Sequence, residues 1–495
     1  MGLFEPGRNC WRLARADKAA VIIDACDYYR TIRQAMLQAR HRILIIGWDF
    51  DPRIRLDRTD EENADETLGT FLFNLSDRRP DLPILILKWD IGALKLLFRG
   101  SSIAWLARLA AKKAIRFRLD QAHPTGCSHH QKIVVIDDCF AICGGIDMTG
   151  DRWDRPGHSD DDPDRIRPDG TPYGPWHDAT MAVDGAAAAA MSELARDRWL
   201  RATGEQLHPI TERNECIWPD GLEPMLEGSE LAISRTAAAY GDWSQIKEVE
   251  ALFVDMIMSS RRFIYIENQY FTSPTIAAAF IRRLEQPDPP EIMLVGPLTA
   301  EGWLEQMAMD ATRVRLARII GRSDPGNRFR IFTPKTASGQ DIYVHAKIMI
   351  VDDQLLRVGS SNLNNRSLGL DSECDLTLDA ITAAEKAMIS ALRTRLMAEH
   401  LGCSEEAVER EFSQSGSLLA TVEALRGPGK SLALLPVTKP PATAVLIADT
   451  ELLDPKSPDA MFEGMTRKSL WDPIRSQWRR RPRRRGVGTA APTAS

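Results

Sequence analysis

The chain has 495 residues, of which 44% are hydrophobic and 27% are charged, and its formal net charge is −6. This length predicts two or three domains with cores of their own. The acidic balance argues against a non-specific nucleic-acid binder, which usually carries a basic surface. Eight cysteines spread over so long a chain fit a reducing compartment better than a disulfide scaffold.

Signals for membrane insertion and export are weak. No apolar run reaches the ~18 residues that a membrane-spanning helix needs, and the N-terminal residues lack the apolar centre of a secretory signal. We therefore expect a protein that is cytoplasmic or peripheral to a membrane. Secretion without a cleaved signal is the alternative.

The first half of the chain alternates helical and strand patterns. An amphipathic helix is predicted over residues 26–39, and a continuous apolar strand follows at 42–49. Such strands usually belong to a sheet that is covered on both faces. A long polar insertion at 151–178 is of a kind that is often functional, although its acidic cluster at 160–164 reads better as solvated than as a cation site. Further strands are predicted at residues 82–88 and 114–119 and in the segment 128–137.

The second half repeats this order. A helix over residues 246–259 leads into an apolar strand at 262–269, and later strands are predicted at 291–295 and 329–333. Because the same order of helices and strands occurs in both halves, the sequence predicts an α/β fold. We expect two similar α/β domains related by a pseudo-twofold repeat, each a mixed sheet flanked by helices.

Composition gives the domain limits. Residues 204–228 are polar and carry three prolines, so the repeats are predicted at residues 1–228 and 229–430. In the extension, residues 431–495, the periodicity fades, and much of residues 450–495 is expected to be weakly ordered. The arginine-rich run at 479–485 could bind anionic lipid, bind nucleic acid or form a solvated tail, and these alternatives stay open.

A histidine–lysine motif occurs once in each half and is the strongest signal in the chain. Each copy reads His-x-Lys, four apolar residues and Asp, and a pair of small residues stands fourteen positions after each histidine. A lone His-x-Lys is usually incidental, but two copies with the same spacing suggest one site built from two halves. The residues are His130, Lys132 and Asp137 with Gly144 and Gly145, and His345, Lys347 and Asp352 with Gly359 and Ser360.

The motif chemistry suits a phosphodiester. Alternate residues of a strand share a face, so each histidine projects beside its lysine, while Asp137 and Asp352 have the opposite parity and are expected to brace the strand ends. Small residues such as Gly145 and Ser360 give clearance for two strands to approach.

One neutral histidine can attack phosphorus, and the other, protonated, can donate to the leaving oxygen. The two lysines can hold the non-bridging oxygens, where charge develops. A free histidine titrates near pH ~6.5, so opposite protonation states are within reach of small pKa shifts. No metal or cofactor is expected, and the spacing of Cys127, His129, Cys139 and Cys143 fits no standard zinc module.

Over about residues 25–402 the sequence resembles the phospholipase D superfamily, whose signature is His-x-Lys-x4-Asp in two copies. Further matching segments resemble the phospholipid-cleaving members of eukaryotic type more than the small nuclease members. These segments lie at residues 144–148, 152–154, 175–178, 266–271 and 359–367.

The resemblance implies roles for individual residues. His130 would be the nucleophile and His345 the general acid and base, with Asn362 binding phosphate and Asp147 as its counterpart in the first half. A carboxylate beyond each motif commonly orients a catalytic histidine. Glu373 and Asp178 are the candidates for these two carboxylates. The competing interpretation is that both are ordinary acidic residues of loops. Which of them orients His130 stays open.

The function implied is a phospholipase D type phosphodiesterase that releases phosphatidic acid and a head-group alcohol through a phosphohistidine, with transphosphatidylation where an alcohol replaces water. The alternative is a cardiolipin synthase-like phosphatidyltransferase, although such enzymes commonly start with hydrophobic membrane segments. A metal-independent nuclease is disfavoured by the acidic charge, and a catalytically dead lipid-binding protein by the intact motifs. We expect a monomer that works at a phospholipid membrane surface and does not bind nucleic acid.

Overall fold

The structure, a computed structural model, describes residues 2–58, 65–90, 105, 108–109, 111–211, 216–300, 303–437 and 454, and only the backbone of residues 303–308. The predictions for the arginine-rich run at 479–485 and, apart from residue 454, for the weakly ordered tail lie outside these residues. Among the described helices, none combines the length and apolarity that crossing a membrane requires.

The first half alternates strands and helices as predicted, with one additional long strand at its start. Its elements are β1 (Arg12–Ile23), α1 (Ala25–Gln38), β2 (Ile43–Gly47), α2 (Leu68–Arg78), β3 (Ile84–Trp89), β4 (Ile115–Asp120), β5 (Ile133–Ile136), β6 (Phe140–Gly144), β7 (Trp176–His177), β8 (Ala179–Asp184) and α3 (Gly185–Thr203).

The second half repeats the pattern and adds helices at its end. Its elements are β9 (Leu226–Ala237), β10 (Ile246–Lys247), α4 (Glu248–Ser259), β11 (Phe263–Glu267), α5 (Pro274–Leu284), β12 (Glu291–Val295), α6 (Trp303–Arg322), β13 (Phe329–Lys335), β14 (Tyr343–Val344), β15 (Ile348–Val351), β16 (Leu355–Gly359), α7 (Asn365–Gly369), β17 (Glu373–Asp379), α8 (Ala383–Leu401), α9 (Glu405–Ser415), α10 (Leu418–Leu425) and β18 (Ser431–Leu434).

The sheets of the two halves are joined into one. Its strand order is β18-β13-β12-β11-β15-β16-β17-β9-β1-β8-β6-β5-β2-β3-β4, with β10 paired to β9. The runs β2-β3-β4 and β11-β12-β13 are parallel, and the other pairings of this sheet are antiparallel. The sheet of each half is therefore mixed, as predicted. The halves join where β1 pairs with β9, from Arg12 opposite Ile233 to Ala19 opposite Leu226.

Apolar packing follows the same symmetry. One buried cluster includes Leu44 and Ile133 from the first half together with Ile350 and Leu376 from the second, so the largest core lies between the halves. A second cluster lies under α1 and α2, and a third lies under α4 and α5. Because the motif strands β5 and β15 contribute to the shared core, their ends are held at the junction of the halves.

Candidate active site

Each motif histidine is carried by one half and held by the backbone of the other. The His130 amide donates to the carbonyl of Ser372 over 3.0 Å, and the His345 amide donates to the carbonyl of His177 over 2.7 Å. Just before His345, β14 pairs in parallel with β7, with Tyr343 opposite Trp176. The two loops that precede the motif strands are therefore interlocked across the junction.

The orienting carboxylates are exchanged between the halves. Nδ1 of His130 lies 3.0 Å from a carboxylate oxygen of Glu373, and Nδ1 of His345 lies 2.7 Å from Oδ2 of Asp178. Both carboxylates are fully buried. Glu373 of the second half therefore contacts His130 of the first half, and Asp178 of the first half contacts His345 of the second half. With Nδ1 engaged, Nε2 is the ring nitrogen left for chemistry.

The motif lysines lie close to their histidines, but residues 130–132 and 345–347 precede β5 and β15 and do not lie in the strands in which they were expected. The ammonium of Lys132 lies 3.2 Å from a carboxylate oxygen of Asp147 and donates to the carbonyl of His130. The ammonium of Lys347 donates to Oε1 of Gln269 over 3.2 Å and to the carbonyl of His345. Both lysines are buried, so their charges act on the pocket with little screening by water.

The small residues make room for carboxylates and hydroxyls of the protein itself. A Cβ added at Gly145 would overlap Oδ1 of Asp178 and would lie 3.2 Å from the carbonyl of His345. The hydroxyl of Ser360 donates to Glu373, and the hydroxyl of Ser367 does so over 2.6 Å. The clearance expected at these positions is therefore used to seat the two orienting groups.

The side chain of Asn362 carries an unsatisfied polar atom. Its side chain is buried, and among the described residues its Oδ1 has no hydrogen-bond partner. A buried amide oxygen without a partner is costly, and amide oxygen and nitrogen are interchangeable by a flip of the side chain. This arrangement leaves Asn362 free to contact a ligand.

An aromatic wall borders His345 and was not predicted as part of the site. The ring of Trp176 stacks on Tyr343 at 4.5 Å and lies 5.3 Å from the ring of His345. The guanidinium of Arg152 lies 4.1 Å from the Trp176 ring centre, and Gln269 donates to the Tyr343 hydroxyl over 2.9 Å. The matching segments at 152–154, 175–178 and 266–271 contained three of these residues, but nothing in them indicated a contact.

The two motif aspartates lie at the strand ends and brace turns, as their parity predicts. Asp137 accepts from the backbone amides of Arg40, His41 and Arg42 over 2.6–2.7 Å. Asp352 accepts likewise from the amides of residues 261–263 over 2.6–2.8 Å. Both belong to the repeated motif, and these contacts give them a structural role in place of the catalytic role expected of motif residues.

The electrostatics of the pocket differ from the small shifts expected. Burial and the charges of Lys132 and Lys347 lower the pKa of His130 well below its usual value. Burial, followed by Lys347 and Arg152, does the same to the pKa of His345. Lys132 also acts on His345, so the charges of both lysines reach both rings. The lowered pKa keeps His130 neutral, as a nucleophile requires. His345 is neutral for the same reason, and it can become a proton donor only when a negative charge enters the pocket and raises its pKa.

Burial also shifts the pKa values of one carboxylate and one lysine of the pocket. Burial raises the pKa of Glu373 to about 8, against hydrogen bonds from Ser360 and Ser367. Glu373 is therefore mostly protonated near neutral pH in the free enzyme. Neutral His130 has one N–H, so its Nε2 carries a lone pair only when that proton is on Nδ1, facing Glu373. Burial also lowers the pKa of Lys347 to about 7, against the charge of Asp178.

A second buried cluster lies behind the pocket and has the donors of a cation site. Asp24, His158, His177 and Glu399 place ligand atoms within 4.8 Å of one another, and His177 also contacts Glu267, with Nε2 and Oε2 2.8 Å apart. Nδ1 of His177 lies 2.8 Å from Oε1 of Glu399, and Oδ2 of Asp24 lies 3.5 Å from Nε2 of His158. Oε2 of Glu399 has no hydrogen-bond partner among the described residues.

Imidazole and carboxylate donors suit zinc and other divalent cations. The cluster is a candidate site, and the expectation that the protein needs no metal stays a prediction. His158 and His177 lie in the insertion at 151–178, whereas Asp24 and Glu399 come from distant parts of the chain, so no spacing in the sequence could reveal the cluster.

Comparisons with known proteins agree with this geometry. The family model described as "Phospholipase D" matches residues 35–217, and the model described as "Cardiolipin synthase, PLD-like domain" matches residues 253–389. Phospholipase D1 of Saccharomyces cerevisiae is 26% identical over 78% of this chain and 29% of its own length. Phospholipase D alpha 1 of Nicotiana tabacum is 24% identical over 76% of this chain and 64% of its own length.

A solved structure supports the fold. The crystal structure of phosphatidylserine synthase from Haemophilus influenzae Rd KW20 aligns with a TM-score of 0.54 at 13% identity, over 84% of this chain and 98% of that one. At this identity the likeness concerns the fold alone. The chain spans less than two thirds of the length of each curated relative named above.

Proposed function

Because this chain belongs to the phospholipase D superfamily, we propose that it is a phosphodiesterase that hydrolyses phospholipids to phosphatidic acid and a head-group alcohol. The observation that carries the proposal is the pair of motif histidines, each of which contacts a buried carboxylate from the other half of the chain. Two imidazoles with free Nε2 atoms, flanked by two buried ammonium groups, suit a two-step displacement at one phosphorus atom.

In the first step Nε2 of His130 attacks phosphorus, and the bond from phosphorus to the head-group oxygen breaks. The electron pair of that bond stays on the oxygen, which takes a proton from Nε2 of His345. Entry of the phosphodiester anion raises the pKa of His345 and so equips it as the acid. Lys132 and Lys347 hold the non-bridging oxygens, and Glu373 balances the positive charge of the phosphohistidine.

In the second step His345 acts as the base. Its Nε2 removes a proton from water, the water oxygen bonds to phosphorus, and the bond from phosphorus to His130 breaks. His345 thereby regains the proton that it lost, and phosphatidic acid leaves. An alcohol in place of water gives a phosphatidyl alcohol by the same route. Asn362, with its unsatisfied oxygen or flipped amide, is proposed to help seat the phosphate.

The experiment incubates the purified protein with vesicles of phosphatidylcholine, phosphatidylethanolamine and phosphatidylglycerol, with and without a short primary alcohol. We expect release of the head group, and a phosphatidyl alcohol when alcohol is present. His130→Asn and His345→Asn should each abolish turnover. His208→Asn, at an exposed histidine outside the pocket, is the matched control and should keep full activity. Near-wild-type activity of either pocket variant would exclude the two-histidine mechanism.

A phosphatidyltransferase is the second candidate, favoured by the match of residues 253–389 to the model described as "Cardiolipin synthase, PLD-like domain". In this reaction a lipid alcohol would intercept the phosphohistidine instead of water. Vesicles of phosphatidylglycerol distinguish the two, because transfer yields cardiolipin and free glycerol, whereas hydrolysis yields phosphatidic acid. Cleavage of single-stranded DNA but of no phospholipid would instead support the nuclease reading.

A further inference from the structure

A hairpin with two aromatic side chains follows β9. Tyr240 and Trp243 close it through reciprocal backbone hydrogen bonds of 3.1 and 3.0 Å, and their ring centres lie 5.7 Å apart. Tyr240 is 39% exposed, and Leu200, next in sequence to an arginine that contacts Trp243, is 38% exposed. Large apolar side chains are thus presented to solvent at one corner of the molecule.

This corner is connected through β9 and α7 to the residues that hold His130. Thr236, at the end of β9, is the register partner of Glu373, which orients His130. After the hairpin, Gln245 donates to the carbonyl of Gly369 over 2.8 Å. Gly369 ends the short helix α7, which also carries Ser367, a hydrogen-bond donor to Glu373.

A second chain of contacts leads from the hairpin to the motif. The Arg201 guanidinium lies 4.5 Å from the ring centre of Trp243. One turn earlier on α3, Arg198 pairs with Asp120, and a carboxylate oxygen of Asp120 lies 3.8 Å from Nδ1 of His129. Two paths of contacts therefore link the hairpin to residues beside the motif.

The charges around the hairpin are balanced by neighbouring acids. Arg201 pairs with Asp197 at 2.7 Å, and Lys247 lies 3.6 Å from Glu250. The hairpin tip itself carries Asp242, which is exposed. A surface of this kind has little attraction for an anionic bilayer, whereas a tip carboxylate is compatible with the ammonium groups of a zwitterionic surface. A charge at the tip also limits entry to the head-group level.

Tryptophan and tyrosine are the residues that favour this level, because their rings are apolar and their N–H or O–H group stays hydrated. We propose that the Tyr240–Trp243 hairpin is the contact of this protein with a zwitterionic phospholipid surface and sets the pocket against the lipid. This inference rests on the proposed lipid substrate. It assigns interfacial contact to a defined segment of the catalytic body.

The test compares the wild type with Tyr240→Ala and with Tyr240→Ala/Trp243→Ala. Ile381→Ala is the control, since Ile381 is 82% exposed and lies between β17 and α8, at the opposite end of β17 from Glu373. Sedimentation with phosphatidylcholine vesicles measures binding. Activity is measured on the same vesicles and on a short-chain phosphatidylcholine below its micelle concentration.

Partial burial of two aromatic rings predicts a loss of roughly tenfold in vesicle affinity and vesicle activity for the double variant. Activity on the soluble substrate should change less than twofold, and Ile381→Ala should behave as wild type. Because the corner is not basic, 0.5 M salt or added anionic lipid should alter wild-type binding less than twofold. Tyr240→Ala changes an exposed side chain, so its partial loss of binding is measurable even where the double variant is unstable.

Unchanged vesicle binding by folded variants would overturn the inference. So would binding that requires anionic lipid and disappears in salt, since it would point to a basic segment instead. An equal loss on soluble and vesicle substrates would assign the hairpin to the pocket rather than to the membrane. If the wild type cleaves no phospholipid, the proposed function fails, and sedimentation alone still decides whether the hairpin binds lipid.

Discussion

Replacing the two exchanged carboxylates separately should affect different steps of the reaction. Glu373→Gln acts on His130, the proposed nucleophile, whereas Asp178→Asn acts on His345, the proposed acid and base. Both amides keep the size of the side chain and remove its ability to ionise when the histidine becomes positively charged during the reaction. The prediction is that loss of activity depends on the leaving group only for Asp178→Asn, because a good leaving group needs no acid.

The magnitude follows from the geometry. Each histidine has one hydrogen bond to a buried carboxylate, of 3.0 Å for His130 and 2.7 Å for His345. A charge-assisted hydrogen bond contributes roughly 1.5–3 kcal/mol, which corresponds to a factor of roughly 10 to 100 in rate. Glu373→Gln should lose this factor on every substrate. Asp178→Asn should lose it on phosphatidylcholine and lose less than threefold in the first step with a phosphatidyl-p-nitrophenol.

Rapid mixing resolves these steps. With the nitrophenyl lipid, Asp178→Asn should show a burst of nitrophenolate near one equivalent of enzyme and then slow turnover, because His345 is also the base for water. Glu373→Gln should show no burst. A burst in Glu373→Gln and none in Asp178→Asn would reverse the roles of the two histidines. Equal loss in both variants with both substrates would refute the division of labour.

Four further outcomes are expected. Gly145→Ala should reduce turnover to the level of Asp178→Asn, because the added Cβ would overlap Oδ1 of that carboxylate, and kcat on phosphatidylcholine measures it. Asp137→Ala should lower the free energy of unfolding by roughly 2–4 kcal/mol, since three backbone amides lose their acceptor and alanine is strained at a φ of 52°; kcat of the folded protein should be unchanged in parallel assays. In a pH profile of kcat/KM, activity should fall above about pH 7, where Lys347 loses its charge in the free enzyme, while the acid limb should lie below the ordinary histidine pKa of ~6.5; a plateau up to pH 9 would contradict this. A divalent cation such as Zn²⁺ should raise the melting temperature of the EDTA-treated wild type but not of Glu399→Gln, which lacks one ligand of the buried cluster.

Local patterns were sufficient to predict most elements of the fold. The helix predicted over residues 26–39 is α1 (Ala25–Gln38), and the strands predicted at 82–88 and 114–119 are β3 and β4. In these segments the apolar residues recur with the spacing of the positions that are buried in the fold, so the pattern can be recognised within each segment alone. The strand β1 (Arg12–Ile23) was not predicted, because it mixes exposed polar and buried apolar residues and is stabilised by pairing with β9, more than 200 residues away.

Contacts between distant segments were the part that the sequence could not provide. The insertion at 151–178 was expected to be functional and supplies Asp178, but its acidic cluster is not simply solvated, since Asp162 is buried and pairs with Arg155 at 2.7 Å. The motifs identified His130 and His345, and the family pattern identified both carboxylates. Which carboxylate meets which histidine depends on how the halves dock, and no spacing within either half encodes that.

The exchange has a consequence for how this chain must work. In either half alone, the histidine would lack its carboxylate, and the loop before it would lack the backbone that holds it, because His130 donates to Ser372 and His345 donates to His177. The junction of β1 with β9 and the shared core therefore do more than stabilise the fold. They keep two imidazoles of one chain in one pocket with different neighbours: Glu373 and two hydroxyls at His130, and Asp178 with Trp176 at His345. Since opposite roles require unlike surroundings, these differences between the two copies are what the proposed roles of His130 as nucleophile and His345 as acid would need.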